Sequence, residues 1–279
     1  MLEQSDRLSY RLIGHVARDL TPEGARLGGT VTYSGLTAAA LGAEVGILTA
    51  CARDLELEPL NGMELIPIPS PESTTFTNQE LKSGRTQLLQ SRAETLTSEM
   101  IPAAWLDTDI IHLAPIADEI ELDSLDKFSP GSIFVTPQGW LREWDQNGRV
   151  GYRSWHSIGD QLAAARAVVC SLEDLSGRLE EAEKLACRSS CLVVTNGDRG
   201  ALLFVEGEKI QIEAITVEQV DPNGAGDIFA AVFFVELFQG SDPFAAAKRA
   251  NDLAARSVTR PGLNAIPTKL EIDTARERH

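Results

Sequence analysis

The sequence predicts an α/β protein, a three-layer α/β/α sandwich on a mostly parallel central sheet with a small β lid. Two observations lead there. Short β-branched or apolar runs alternate with helical stretches along the chain, an order that implies parallel strands covered by helices. Hydrophobic residues make up 43% and charged residues 24% of the 279, a balance that permits a sizeable buried core. Length admits one or two domains, and residues 1–279 are read as a single domain whose lid comes from strands of the N-terminal half.

The buried strands are expected at 45–48, 110–113, 133–135 and 168–170, with another at 192–195 bounded by Asn196-Gly197. Residues 178–188 have the spacing of a short amphipathic helix. From 201 to 212 two short runs flank Glu206-Gly207-Glu208, the pattern of a β-hairpin. Helices are expected at 225–238, opened by glycines, and at 243–259, opened by Asp242-Pro243. Pro67, Pro69 and Pro71 make 66–80 a surface connection or an edge-strand excursion, open to a part in the lid.

Asp and Glu outnumber Lys and Arg by 41 to 25, a formal charge of −16 that repels nucleic-acid phosphates and anionic membranes. A small-molecule partner is expected instead. The first ten residues lack a basic stretch followed by an apolar core, and no apolar run approaches the roughly 18 residues of a membrane span, so a cytoplasmic protein is expected. Cys51, Cys170, Cys187 and Cys191 are too few and too irregular for a disulfide scaffold.

The chemistry is concentrated in Val220-Asp221-Pro222-Asn223-Gly224-Ala225-Gly226-Asp227, a glycine-rich turn running into an Ala- and Phe-rich helix. Small residues there let successive N–H groups converge on an anion at a helix N-terminus, making Gly224, Ala225 and Gly226 a candidate anion hole. A carboxylate in that turn repels phosphate unless it serves to take a proton from an attacking hydroxyl, which nominates Asp227 as a general base. The plainer reading, a strand-to-helix turn with an Asp on the helix dipole, stays open.

The same segment closely resembles the C-terminal motif of the ribokinase/PfkB carbohydrate kinase family, usually Asp-Thr-x-Gly-Ala-Gly-Asp, with Pro222 here in place of Thr. The likeness continues in Val194-Thr195-Asn196-Gly197-Asp198-Arg199-Gly200-Ala201, in Ala250-Asn251 and Thr259-Arg260-Pro261-Gly262, and near the start in Leu27-Gly28-Gly29-Thr30. It implies a ribokinase-like fold and phosphoryl transfer from ATP with Mg2+ to a hydroxyl on a sugar, polyol or nucleoside. A monovalent cation and a homodimer are left open. On the same resemblance Thr195, Gly197, Gly200 and Asn251 bind nucleotide, while Asp19, Gly28, Gly29 and Tyr33 bind substrate. Pro137-Gln138-Gly139-Trp140-Leu141-Arg142 resembles inositol-kinase-like members, which adds Arg142 and tilts the substrate towards inositol-like polyols.

The chain also departs from the family. Tyr33 stands where many sugar-specific members carry Asn, and Ser171-Leu172-Glu173-Asp174 replaces the usual Asn-x-x-Glu, leaving Asp174 as the candidate for a water-mediated metal contact. A catalytically weakened nucleotide or sugar sensor of the same fold is therefore the alternative. A nucleotide-binding oxidoreductase is disfavoured, because no Gly-x-Gly-x-x-Gly follows an early strand.

Overall fold

The computed structural model describes residues 7–22, 24–81, 84–121 and 125–279. The chain opens with β1 (Ser9–Ile13), β2 (Ala17–Thr21) and β3 (Gly24–Gly28), then α1 (Thr30–Ala40) and β4 (Glu44–Cys51). After a 3-10 turn at Glu58–Leu60 come β5 (Glu64–Pro69), β6 (Thr75–Leu81), β7 (Gly84–Ser91), β8 (Leu96–Thr97) and β9 (Ile110–Leu113). Next are β10 (Ile120–Glu121), β11 (Ile133–Val135), β12 (Arg142–Trp144), β13 (Val150–Tyr152), α2 (Gly159–Ala164), β14 (Ala167–Ser171), α3 (Leu179–Ala186) and β15 (Cys191–Thr195). The chain ends with β16 (Ala201–Val205), β17 (Glu208–Ile212), α4 (Ala225–Phe238), α5 (Pro243–Ser257) and α6 (Lys269–Arg278).

Among the described residues nine strands form the main sheet, in the order β17-β16-β15-β14-β11-β9-β1-β4-β5. All neighbours are parallel except in the β15-β16-β17 run, which turns back on itself as the expected hairpin. Alternation drives the layering, because successive side chains of each strand enter opposite cores. Tyr10, Leu12, Val169 and Val193 pack with α1, α4, α5 and α6 on one face. Ile13, Val168, Leu192 and Val194 pack with Trp105, Trp155 and α3 on the other. Helix α4 is apolar all round, and every residue from 228 to 237 is buried, so it lies inside the first core rather than on the surface. Asp242 caps α5 by accepting from the N–H groups of Phe244 and Ala245 at 3.0 and 3.1 Å, with Pro243 in the first turn.

The stretch at 66–80 divides in two. Pro67 and Pro69 lie in β5 at the margin of the main sheet, where one side of the strand needs no partner, and β6 belongs to a second sheet. That small sheet has the order β3-β2-β6-β7. The β12-β13 hairpin is attached to its β7 edge, through a bridge between Leu88 and Arg149 and a hydrogen bond from Leu89 N–H to the Gly148 carbonyl at 2.8 Å. Among the described residues no helix is long and apolar enough to cross a membrane.

Candidate active site

The C-terminal ends of the parallel strands open into a cleft of about 1030 Å³, the place where open α/β sheets take ligands. Two helices point their N-termini at it. Helix α1 starts after Gly29 and helix α4 after Gly224, both starts line the cleft, and no capping side chain occupies either one. The two ends are joined, because Ser34 Oγ donates to the Asp227 carbonyl at 2.9 Å. Gly224 has φ of 78°, and a Cβ there would collide with the Tyr33 ring, so both its backbone angle and its neighbour require glycine.

The turn ahead of α4 is stapled by Asp221. Its carboxylate accepts from Asn223 N–H and from Gly262 N–H, both at 3.0 Å, while the N–H groups of Val220 and Asp221 reach the Val258 carbonyl at 2.7 and 3.0 Å. The separated Thr259-Arg260-Pro261-Gly262 segment thus supports the glycine-rich turn from behind.

Asp227 stands in the first turn of α4 and lines the cleft. Burial pushes its carboxyl up to about 7, the nearby charges of Asp174 and Asp19 add to the rise, and a hydrogen bond from Thr30 and the charge of Arg142 oppose it. The outcome is a carboxylate that changes protonation near neutrality.

On one side of Asp227 lie Asp19, Gly29, Tyr33 and Arg142. Burial, followed by the charges of Asp19, Asp221 and Asp227, raises the Tyr33 phenol well above its usual range, so it stays protonated. Arg142 donates to the Ile116 carbonyl at 3.0 Å and lies 5.6 Å from the centre of the Phe76 ring. Gly28 does not line the cleft. It lies behind the Asp19 carboxylate, where a Cβ would collide with Asp19 Oδ2, and its carbonyl accepts from Thr32 Oγ at 2.6 Å. The missing side chain at Gly28 makes room for the Asp19 carboxylate.

On the other side lie Thr195, Gly197, Gly200 and Asn251. Asn251 Nδ2 donates to the Glu213 carbonyl at 3.0 Å and so ties the 213–220 segment to α5. Ile215 and Val217 of that segment are exposed and line the cleft, as do Ala254, Ala255 and Val258. Asp174 also reaches the cleft. Its Oδ2 accepts from Ser171 N–H at 2.8 Å, Ser171 Oγ accepts from Asp174 N–H at 3.0 Å, and Gln138 Nε2 donates to Asp174 Oδ1 at 3.3 Å. Among the described residues no group of three or more His, Cys, Asp or Glu is placed to hold a metal. A cation retaining much of its water suits this arrangement better than a protein cage does.

Further residues line the cleft besides those expected from the sequence. Thr30, Asn78, Gln87, Thr136, Gln138 and Tyr152 come from five separate parts of the chain, and Gln87 Nε2 donates to Asn78 Oδ1 at 3.0 Å across β6 and β7. The one signal that could have found any of them is adjacency: Thr30 follows the Gly28-Gly29 pair and Gln138 precedes Arg142.

Comparison with known proteins agrees with this geometry. Residues 166–269 match the model of the pfkB family carbohydrate kinases. Cytidine kinase of Thermococcus kodakarensis is 24% identical over 258 residues, covering 84% of this chain and 90% of that protein. Inositol 3-kinase of Zea mays is 29% identical over 144 residues, covering 50% of this chain and 36% of that protein. Among solved structures, a pyrophosphate-dependent kinase in the ribokinase family, complexed with a pyrophosphate analogue and myo-inositol, superposes with a TM-score of 0.80 at 20% identity, covering 95% of this chain and 99% of that one. Residues 166–269 are thus similar to the pfkB family carbohydrate kinases, and the chain has a ribokinase-like fold.

Proposed function

We propose that this chain, a small-molecule kinase with a PfkB domain, transfers the terminal phosphoryl of ATP to a hydroxyl of a sugar, polyol or nucleoside, with Asp227 as the base. The observation that carries the reading is the position of Asp227, at the N-terminus of α4 and between the two sides of one cleft. Asp227 takes the hydroxyl proton as the substrate oxygen forms its bond to phosphorus and the bond to the departing ADP breaks. The N–H groups of Gly224, Ala225 and Gly226 stabilise the charge on the phosphoryl oxygens, and the α1 N-terminus adds positive potential from the facing side. Asp174, with its Gln138 and Ser171 partners, would hold the water around a Mg2+ ion, which would supply charge neutralisation at the phosphates.

The donor is assigned as a nucleotide from the apolar walls beside Asn251. Ile215, Val217, Ala254, Ala255 and Val258 give the cleft an apolar lining that suits a flat base and that bare pyrophosphate would leave unused. On the acceptor side, Asp19, Asn78, Gln87 and Arg142 offer hydrogen bonds from several directions, which suits a polyol such as an inositol. The binding-only alternative draws on Asp174, whose short side chain is already engaged by Ser171 and Gln138.

The test is ADP release from ATP and Mg2+ across a panel of sugars, inositols and nucleosides, with Asp227→Asn alongside. Substrate-dependent turnover that disappears in Asp227→Asn is expected. Nucleotide binding without turnover across the panel would establish the binding protein, and unchanged turnover in the variant would remove Asp227 as base.

A further inference from the structure

Beneath the cleft, in the middle of the main sheet, three polar side chains form a line that the mechanism above does not use. Tyr10 on β1 and His112 on β9 are fully buried, and Thr136 follows β11 at the cleft floor. Tyr10 Oη is 3.0 Å from His112 Nδ1, and His112 Nε2 is 2.9 Å from Thr136 Oγ1. Phe234 of α4 packs edge-on against the imidazole at 5.0 Å between ring centres. Pairing of β9 with β1 and β11 sets this order, since His112 lies opposite Leu12 on one side and Phe134 on the other.

The direction of each hydrogen bond follows from counting protons. Burial pushes the His112 imidazole down to about 3, so the ring is neutral and has one N–H to give. His112 Nδ1 is the one hydrogen-bond partner of the Tyr10 hydroxyl among the described residues, and a buried O–H without an acceptor is costly. Tyr10 therefore donates to Nδ1, which places the ring proton on Nε2, and Nε2–H donates to Thr136 Oγ1. The Thr136 hydroxyl proton is thereby turned away from the ring, and no other side-chain hydrogen bond of Thr136 is present among the described residues. Its backbone cannot drift, because Thr136 N–H donates to the Leu113 carbonyl at 3.0 Å, and its β-branched side chain has few rotamers.

We propose that Thr136 is a binding residue of the cleft, donating its hydroxyl proton to an oxygen of the transferred phosphoryl group, and that the buried Tyr10–His112 pair is a positioning device that holds that hydroxyl as a donor. The inference rests on the kinase reading. Thr136 comes from β11, whose neighbours in the sheet are β9, leading to Ile116 beside Arg142, and β14, leading to Asp174. It thus stands between the acceptor side and the donor side, where the phosphoryl group passes. The surrounding carboxylates of Asp174 and Asp227 are acceptors when ionised, so a side chain fixed as a donor adds what they cannot supply.

The experiment is calorimetric binding of Mg-ATP and Mg-ADP to the whole protein, in the native form and in Thr136→Val, Thr136→Ser and Tyr10→Phe. Mg-ADP lacks the group that Thr136 is assigned to hold. Thr136→Val is expected to weaken Mg-ATP by about 10-fold, the loss of one hydrogen bond to a charged oxygen, while Mg-ADP stays within about twofold. Thr136→Ser should restore the preference, and Tyr10→Phe should erode it in the same direction with a smaller effect. An unchanged ratio in Thr136→Val, or equal weakening of both nucleotides, overturns the proposal by reducing Thr136 to a structural residue. Should Thr136→Val not fold, loss of the ratio in Tyr10→Phe supports the proposal and its retention overturns it. A native protein that binds neither nucleotide refutes the kinase reading itself, an outcome distinct from an unchanged ratio.

Discussion

The two sides of the cleft are built in different ways. The side assigned to the phosphate donor is made from short segments of the C-terminal half, Thr195 to Gly200 at the end of β15 and Gly224 to Asp227 at the start of α4, with Asn251 added from the middle of α5. The chemistry proposed for it rests on backbone N–H groups, whose directions follow from local φ and ψ. The acceptor side is assembled from Asp19 on β2, Asn78 on β6, Gln87 on β7 and Arg142 on β12, four strands of which β2, β6 and β7 belong to the small sheet and β12 to the hairpin on its edge. On the proposed assignment, phosphate handling is written into short runs of sequence, whereas substrate choice depends on side chains that meet only through long-range pairing.

That contrast can be broken most directly at Asp227. Asp227→Asn should lower kcat by about 10²- to 10⁴-fold, the range contributed by a positioned base, with little change in Mg-ATP affinity. A fall in affinity as large as the fall in kcat would mean that the residue organises the donor side instead. The second-largest effect is expected from pH. Asp227 must be ionised to accept a proton and its carboxyl is raised to about 7, so kcat/KM should drop by about tenfold per pH unit below that value and level off above it. A profile that is flat from pH 5 to 8, at substrate levels far below KM, would contradict the assignment.

The acceptor side should respond through substrate binding. Asn78→Ala removes one amide from the Asn78-Gln87 pair and should raise KM for the acceptor by about tenfold while leaving KM for ATP in place, as expected for loss of a hydrogen bond used in recognition. Equal changes in both constants would show that the two sides are not separable. The smallest expected effect sharpens the local half of the comparison. Gly224→Ala should cost about 1–3 kcal/mol in chemical denaturation, because φ is positive and the Tyr33 ring occupies the space of the new methyl. Gly226→Ala, whose Cβ points into open space, should be close to neutral in stability and provides the control.

Much of the fold could be read from the sequence for the same local reason. The strand limits Ile110–Leu113 and Ile133–Val135, helix α4 and the β16-β17 hairpin fall where apolar runs, glycines and turn residues place them. Helix ends were less well specified: the stretch at 178–188 contracts to Leu179–Ala186, and that at 243–259 to Pro243–Ser257, since fraying and tightening of last turns depend on neighbours. The small sheet was harder to see. Its strands β2 and β3 are short and half-exposed, without a strong alternation, and β6 begins just beyond a proline-rich edge strand.

Within the cleft the same division holds. Asp227, Gly224 and Asn251 were legible because each lies in a motif of adjacent residues. Thr136, Asn78 and Gln87 were not, because nothing in their neighbours along the chain marks them, whereas Gln138 lies within the 137–142 segment.

By itself the amino-acid sequence determined the layered α/β architecture, the glycine-rich turn and the carboxylate at its helix start, since strand alternation, glycine conformation and helix N-termini are all properties of neighbouring residues. The tertiary structure alone decided the raised protonation range of Asp227, the meeting of the α1 and α4 N-termini, and the buried Tyr10–His112–Thr136 line. Each of these depends on residues more than 20 positions apart being brought within hydrogen-bonding or Coulombic reach in a medium that excludes water, and no local pattern encodes that distance.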